Sequence, residues 1–343
     1  MGTPGRIRTY GLWVRNPTLY PLSYRRMRKT RTPFYHCPRI LRAASIGQQS
    51  GWDARRSDWA ATLRDDPRDP GSGTALGLSI VAGEERSVKS ARLASVEADL
   101  HYLELAGDDL PLVFVHGLGC ASSVDYAEVA GDRALADRPR LLLDLLGSGK
   151  SDRPNNFSYT IAGHARTVVE FLDALELEQV DLFGHSMGGS IAIAAAESAP
   201  GRIRSLLASE PNLDPGGGTF SRMVAGYSEA DYVAFGQVEI AMRARQDGDS
   251  VWASTLEASA SFAVHRSAVS LVAGSYPSWR EILRSLPIPR TIIFGEKSLP
   301  DPDFEGLPQL GIQTLVVANA GHGMATENPA GLANAIDTAL VSG

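Results

Sequence analysis

The segment Gly184-His185-Ser186-Met187-Gly188 restricts this chain more than any other. The short apolar run Val180-Asp181-Leu182-Phe183 precedes it, and the small, helix-forming residues Gly189 to Ala196 follow. The chain must therefore pass from strand to helix through a tight turn that carries a serine at its tip, the context of a G-x-S-x-G nucleophile turn. A serine hydroxyl is a poor nucleophile near neutrality until such a turn exposes it beside a base. The flanking glycines suit a turn too crowded for Cβ atoms. Five residues with three fixed positions recur by chance, so the meaning depends on what else stands at the right distances.

The surrounding pattern is regular from Ser87 onward. Ala91–Val96 and Asp99–Leu105 alternate as a hairpin would. Leu112–Val115, Leu141–Leu143, Val180–Phe183, Ile203–Ala208, Thr291–Phe294 and Thr314–Ala318 read as strands buried on both faces. Helical stretches lie between several of them, at Ile161–Leu175, Met187–Ala199 and Pro329–Leu340. Alternation of this kind predicts an α/β fold with a mostly parallel, doubly wound sheet. One interval, residues 211–287, holds helix-like stretches (Tyr232–Arg245, Val251–Val264) and no strand-like run. It predicts a helical cap inserted before the penultimate strand, over the carboxyl ends where open α/β sheets bind ligands.

Residues 1–86 lack any sustained period and are expected to stand outside the 87–343 domain. The first 52 residues hold ten Arg or Lys and no acid, leaving 23 basic against 39 acidic groups in the rest, a net of −16. The acidic body argues against a nucleic-acid partner. Gly5–Tyr10 through Pro17–Pro21 resembles the peptide made when a transfer-RNA gene is translated from a misplaced start. A transit or regulatory tail, or a small folded module, are the other readings of this leader. No apolar run reaches the length of a membrane span, and Arg15 interrupts Leu12-Trp13-Val14 before it could form a signal-peptide core. Cys37 and Cys120 make no disulfide framework. The expectation is a cytoplasmic protein with a small-molecule substrate and no membrane partner, its oligomeric state open.

Four ordered segments make the domain resemble the α/β-hydrolase fold. His116-Gly117-Leu118-Gly119 stands where that family places its oxyanion loop. Asp144 to Asp152 (DLLGSGKSD) resembles its D-x-x-G-x-G-x-S segment. Gly184–Gly188 is the elbow, and Ala320-Gly321-His322-Gly323 resembles the loop bearing the catalytic histidine. The resemblance implies that Ser186 attacks a carbonyl while His322 takes its proton, with the N–H groups of Leu118 and Met187 meeting the oxyanion. His116, Gly117, Tyr227, Phe235 and Trp252 are expected around the substrate; Met223, Tyr227, Tyr232, Phe235, Met242 and Trp252 suit apolar lining and cap core equally. No cofactor or metal is required.

The third member departs from the family's usual G-x-x-D, because Gly295-Glu296-Lys297-Ser298 puts serine where the acid is expected. Certain haloalkane dehalogenases in the family place their acid at the end of the preceding strand, where Glu210 stands here. Glu210 is the preferred acid, Asp303 or Asp301 the alternatives, and no functioning acid a further possibility. Gly149-Lys150-Ser151 lacks the leading glycine of a phosphate loop, because Asp144 occupies that position. His164 reads as a satisfied interior or surface histidine. The resulting expectation is a serine hydrolase for a small, partly apolar ester, thioester, amide or activated C–C bond. A non-catalytic binding protein and an acyltransferase remain as alternatives.

Overall fold

The structure, a computed structural model, describes residues 87–342, so the readings of the leader lie outside the described residues. Eight strands form one sheet: β1 (Ser87–Leu93), β2 (Ala98–Leu105), β3 (Leu112–Val115), β4 (Arg140–Leu143), β5 (Val180–His185), β6 (Ile203–Ser209), β7 (Arg290–Gly295) and β8 (Gln313–Val317). Their spatial order is β1-β2-β4-β3-β5-β6-β7-β8. The β1–β2 and β2–β4 pairs are antiparallel and the others parallel.

The central strands are apolar at successive positions because each face has its own cover. Val113, Val115 and Leu182 join one core cluster, while Leu112, Phe114 and Phe183 join the other. The main helices are α1 (Ile161–Ala174), α2 (Met187–Ser198), α3 (Thr219–Ala225), α4 (Gln237–Gln246), α5 (Ser250–Ala258), α6 (Ser261–Ala273), α7 (Trp279–Ser285) and α8 (Pro329–Ser342). Buried side chains of α1 and α2 (Val168, Phe171, Ile191, Ile193) pack on the first face; Leu332, Ile336 and Leu340 of α8 pack on the second. Thr160 starts α1 by accepting from the Gly163 N–H at 3.0 Å, an N-cap at the first residues of the expected helix.

Helices α3 to α7 lie between β6 and β7, as the cap interval predicted. Two details differ. Tyr232–Gly236 forms one π-helical turn ahead of α4. The stretch Val251–Val264 is broken between α5 and α6, where the Ala260 N–H turns away to donate to the Gly147 carbonyl at 2.8 Å. The cap is thereby pinned to the loop after β4, and Arg153 adds a second tie to the Ala258 carbonyl at 2.7 Å. No helix among the described residues is long and apolar enough to cross a membrane.

Candidate active site

The first site residue is held by the turn itself. Ser186 has φ 51° and ψ −115°, a strained conformation between β5 and α2. A Cβ on Gly184 would lie 2.3 Å from the Gly188 carbonyl oxygen, and one on Gly188 would lie 2.2 Å from that of Val115. Only glycine fits either place. The Ser186 N–H donates to the Ser209 carbonyl at 2.9 Å, tying the turn to the end of β6.

Directly after that end stands Glu210, also left-handed at φ 41°. Its Oε1 accepts the Gly295 N–H at 2.9 Å, and its Oε2 lies 2.7 Å from His322 Nδ1. The carboxylate thus bridges the end of β7 and the histidine loop. Burial pushes its carboxyl up, but the His322 hydrogen bond and charge, the Gly295 N–H and the Ser298 hydroxyl outweigh burial and hold it below its ordinary value. Ser298, at the family's usual acid position, donates a hydrogen bond to the Glu210 carboxylate.

Asp303 and Asp301 go elsewhere. Asp303 receives Arg280 through two bonds, at 2.7 and 3.0 Å, while Arg280 also holds Asp214. Asp301 caps the short helix Pro302–Gly306 by accepting from the Asp303 N–H at 2.8 Å.

The structure brings Glu210 to His322; among the described residues no hydrogen bond joins His322 to Ser186 Oγ. A ring that the sequence reading passed over lies against His322. His185 packs on His322 with centroids 4.6 Å apart, and its Nδ1 is 2.9 Å from Ser209 Oγ. Burial, followed by the neighbouring His322, pushes the His185 imidazole down to about 3, so it stays neutral beside the other ring. Its signal was its place inside the elbow motif.

Leu118 and Met187 are buried at the ends of β3 and β5, and their N–H groups meet no acceptor among the described residues. Met187 opens α2, whose first N–H groups have no intrahelical partner. Gly117 abuts the elbow: a Cβ there would lie 3.6 Å from Ser186 Cβ. His116 is fully buried and does not line the chamber. Its Nε2 accepts the Leu145 N–H at 3.0 Å, so Nδ1–H donates to the Gly117 carbonyl at 2.8 Å, and the ring clamps the loops after β3 and β4 together.

The chamber beside the loop after β3 is lined by Leu118, Leu145, Leu146, Met187, Ala263 and Val264, with His164, Ser148 and Ser267 as its polar members. The expected aromatic lining sits differently. Phe235 and Met242 are about half exposed (51% and 54%), and neither reaches the chamber. Tyr232 is fully buried in the cap, half-buried Tyr227 bonds Glu239 at 2.9 Å, and Met223 packs against the cap core. Trp252 lies outside the chamber but donates from Nε1 to the Leu118 carbonyl at 2.9 Å. These aromatic residues were assigned by residue type alone, which does not reveal which face of a cap helix turns inward.

A family model of the α/β hydrolase fold matches residues 111–329. The 2-hydroxymuconate semialdehyde hydrolase of Pseudomonas putida is 35% identical over 101 residues, 29% of this chain and 36% of that one. Haloalkane dehalogenase 2 of Mycobacterium bovis is 36% identical over 109 residues, 32% of this chain and 37% of that one. The matches span little more than a third of the length of these curated relatives. A thermophilic esterase from Thermogutta terrifontis shares the fold with a TM-score of 0.61 at 20% identity, over 75% of this chain and 98% of that one.

Proposed function

This chain belongs to the α/β hydrolase fold family, and from that premise we propose that it is a serine hydrolase acting on a small, partly apolar ester-like substrate. The supporting observation is the Glu210–His322 contact of 2.7 Å, set beside a strained Ser186 at the elbow. In this reading Ser186 Oγ attacks the carbonyl carbon and passes its proton to His322 Nε2. Glu210 holds the Nδ1–H and offsets the positive charge that the ring gains. The carbonyl oxygen becomes an oxyanion facing the N–H groups of Leu118 and Met187, each worth roughly 3–4 kcal/mol to the transition state. His322 then protonates the leaving group, water attacks the acyl-enzyme by the same route, and Ser186 is released. The carbonyl belongs to an ester, a thioester, an amide or an activated ketone.

The test is labelling with a fluorophosphonate probe, read by intact mass. Wild type is expected to gain one adduct, located on Ser186 by peptide mapping, and Ser186→Ala none. An unlabelled wild type, or equal labelling of Ser186→Ala, would overturn the reading.

A further inference from the structure

One buried imidazole has no part in this chemistry. His164, on α1, is 1% exposed and lines the chamber whose wall includes Leu118 and Met187, the residues offering the oxyanion N–H groups. The chamber measures about 10 Å³, room for one water-sized group. Ser267 Oγ donates to the Tyr159 carbonyl at 3.0 Å, which commits its proton. The same oxygen lies 3.4 Å from His164 Nε2, so it receives the Nε2–H. That fixes the tautomer and leaves Nδ1 as a bare lone pair, which meets no donor among the described residues. The rings of Phe157 and Tyr159 pack edge-on against the imidazole, with centroids 5.3 and 5.8 Å from its own. A buried acceptor left unmet costs about 1–3 kcal/mol, a cost that a ligand carrying a donor removes.

We propose that His164 determines specificity by accepting a hydrogen bond from a hydroxyl on the acyl part of the substrate, so that hydroxylated short-chain esters are the favoured class. The inference rests on the serine-hydrolase reading of the adjoining site. Burial pushes the imidazole down to about 3, so it offers no positive charge at neutral pH. A carboxylated acyl chain would therefore find neither a donor nor a cation at Nδ1, whereas a hydroxyl finds an acceptor.

The experiment compares ethyl butyrate with ethyl 3- and 4-hydroxybutyrate, followed by pH-stat titration on wild type, His164→Leu and His164→Gln. Wild type is expected to favour one hydroxylated ester about tenfold in kcat/KM, the scale of one neutral hydrogen bond. In His164→Leu the ratio collapses to about one, and His164→Gln, which keeps an acceptor, retains part of it. No preference in wild type, or a preference intact in His164→Leu, overturns the proposal. A second measurement needs neither turnover nor a folded variant. The ¹⁵N resonance of His164 Nδ1 in labelled wild type is followed while butyramide or its 3- and 4-hydroxy forms are added. Movement with a hydroxylated amide alone supports the site; no movement, or equal movement with all three, overturns it. If no ester is turned over yet the resonance responds, the serine-hydrolase reading falls and the hydroxyl site stands.

Discussion

His322 Nδ1 meets Glu210 Oε2 at 2.7 Å, and the glutamate reaches it from the end of β6, not from the loop after β7. Two neighbouring strands thus end in left-handed residues, Ser186 after β5 and Glu210 after β6, and the β7 loop adds the Gly295 N–H. Glu210→Gln keeps the shape but removes the charge that steadies the imidazolium. It is expected to lower kcat about 10⁴-fold with little change in KM. Asp303→Asn weakens the Arg280 bridge instead; turnover should stay within about twofold, with roughly 1 kcal/mol of stability lost. Steady-state kinetics beside urea melts separates the two. Activity lost only with Asp303→Asn would remove Glu210 from its role.

The same contact makes stability depend on pH. The Glu210 carboxyl is held below its ordinary value, so the folded state gives up its proton at lower pH than the unfolded one. Its contribution is present above the ordinary carboxylate range and is lost as pH falls through the depressed value. Wild type should therefore lose stability more steeply than Glu210→Gln on acidification. Parallel acid limbs in a Tm-against-pH series would show that the carboxylate is not held in this way.

Ser298 gives a second handle on the acid. Its hydroxyl bonds Glu210 from the position where the family's aspartate usually stands. Moving the charge back, as Glu210→Ala with Ser298→Asp, should recover on the order of tenfold or more of the activity lost in Glu210→Ala alone. Single-turnover acylation with a chromogenic ester measures this. Equal rates for the single and double variants would show that the two positions do not share access to His322.

The sheet was legible because buried parallel strands and amphipathic helices leave different periods in the sequence, and the strands fell within a few residues of their expected bounds. The turns that carry Ser186 and His322 were legible because each lies between a strand and a helix with a clear pattern. Glu210 could be placed only by strand position, since the strain that aims it is a property of φ. His185 and His164 were missed as partners because their neighbours, His322 and Ser267, lie more than 100 residues away. The places of Phe235 and Met242, about half exposed, were not legible for a related reason. Aromatic and sulfur side chains suit a cap core, a pocket wall and an exposed face equally well, and only packing decides among them.

Trp252 ties the cap to the loop after β3 through its bond to the Leu118 carbonyl, while its ring packs against Phe220 at 4.5 Å. Trp252→Phe keeps the ring contact and removes the donor. The Leu118 N–H is needed most when the oxyanion forms, so kcat should fall about tenfold while KM changes less. Affinity for a boronic acid that mimics the tetrahedral state should fall in parallel. A variant that raised KM alone would mark Trp252 as a simple binding contact.

Asp125 lies just beyond the loop after β3, where its Oδ2 accepts the Ala121 N–H at 2.9 Å beside Cys120. Burial pushes its carboxyl from 3.8 up to about 6; Asp144 and Asp249 add to the rise, and the Ala121 and Cys120 bonds oppose it. Here the folded value exceeds the unfolded one, so between these two pH values the unfolded state gives up its proton first. Stability is lost as pH rises through that window and stays lower above it, by up to about 3 kcal/mol. Asp125→Asn keeps an acceptor for the Ala121 N–H and carries no charge. It should therefore melt several degrees above wild type at pH 7.5, with the advantage shrinking towards pH 4. Differential scanning calorimetry across that range decides the matter. A constant offset at every pH would trace the change to packing, and a variant less stable at pH 7.5 would show that the charged carboxylate is favoured where it stands.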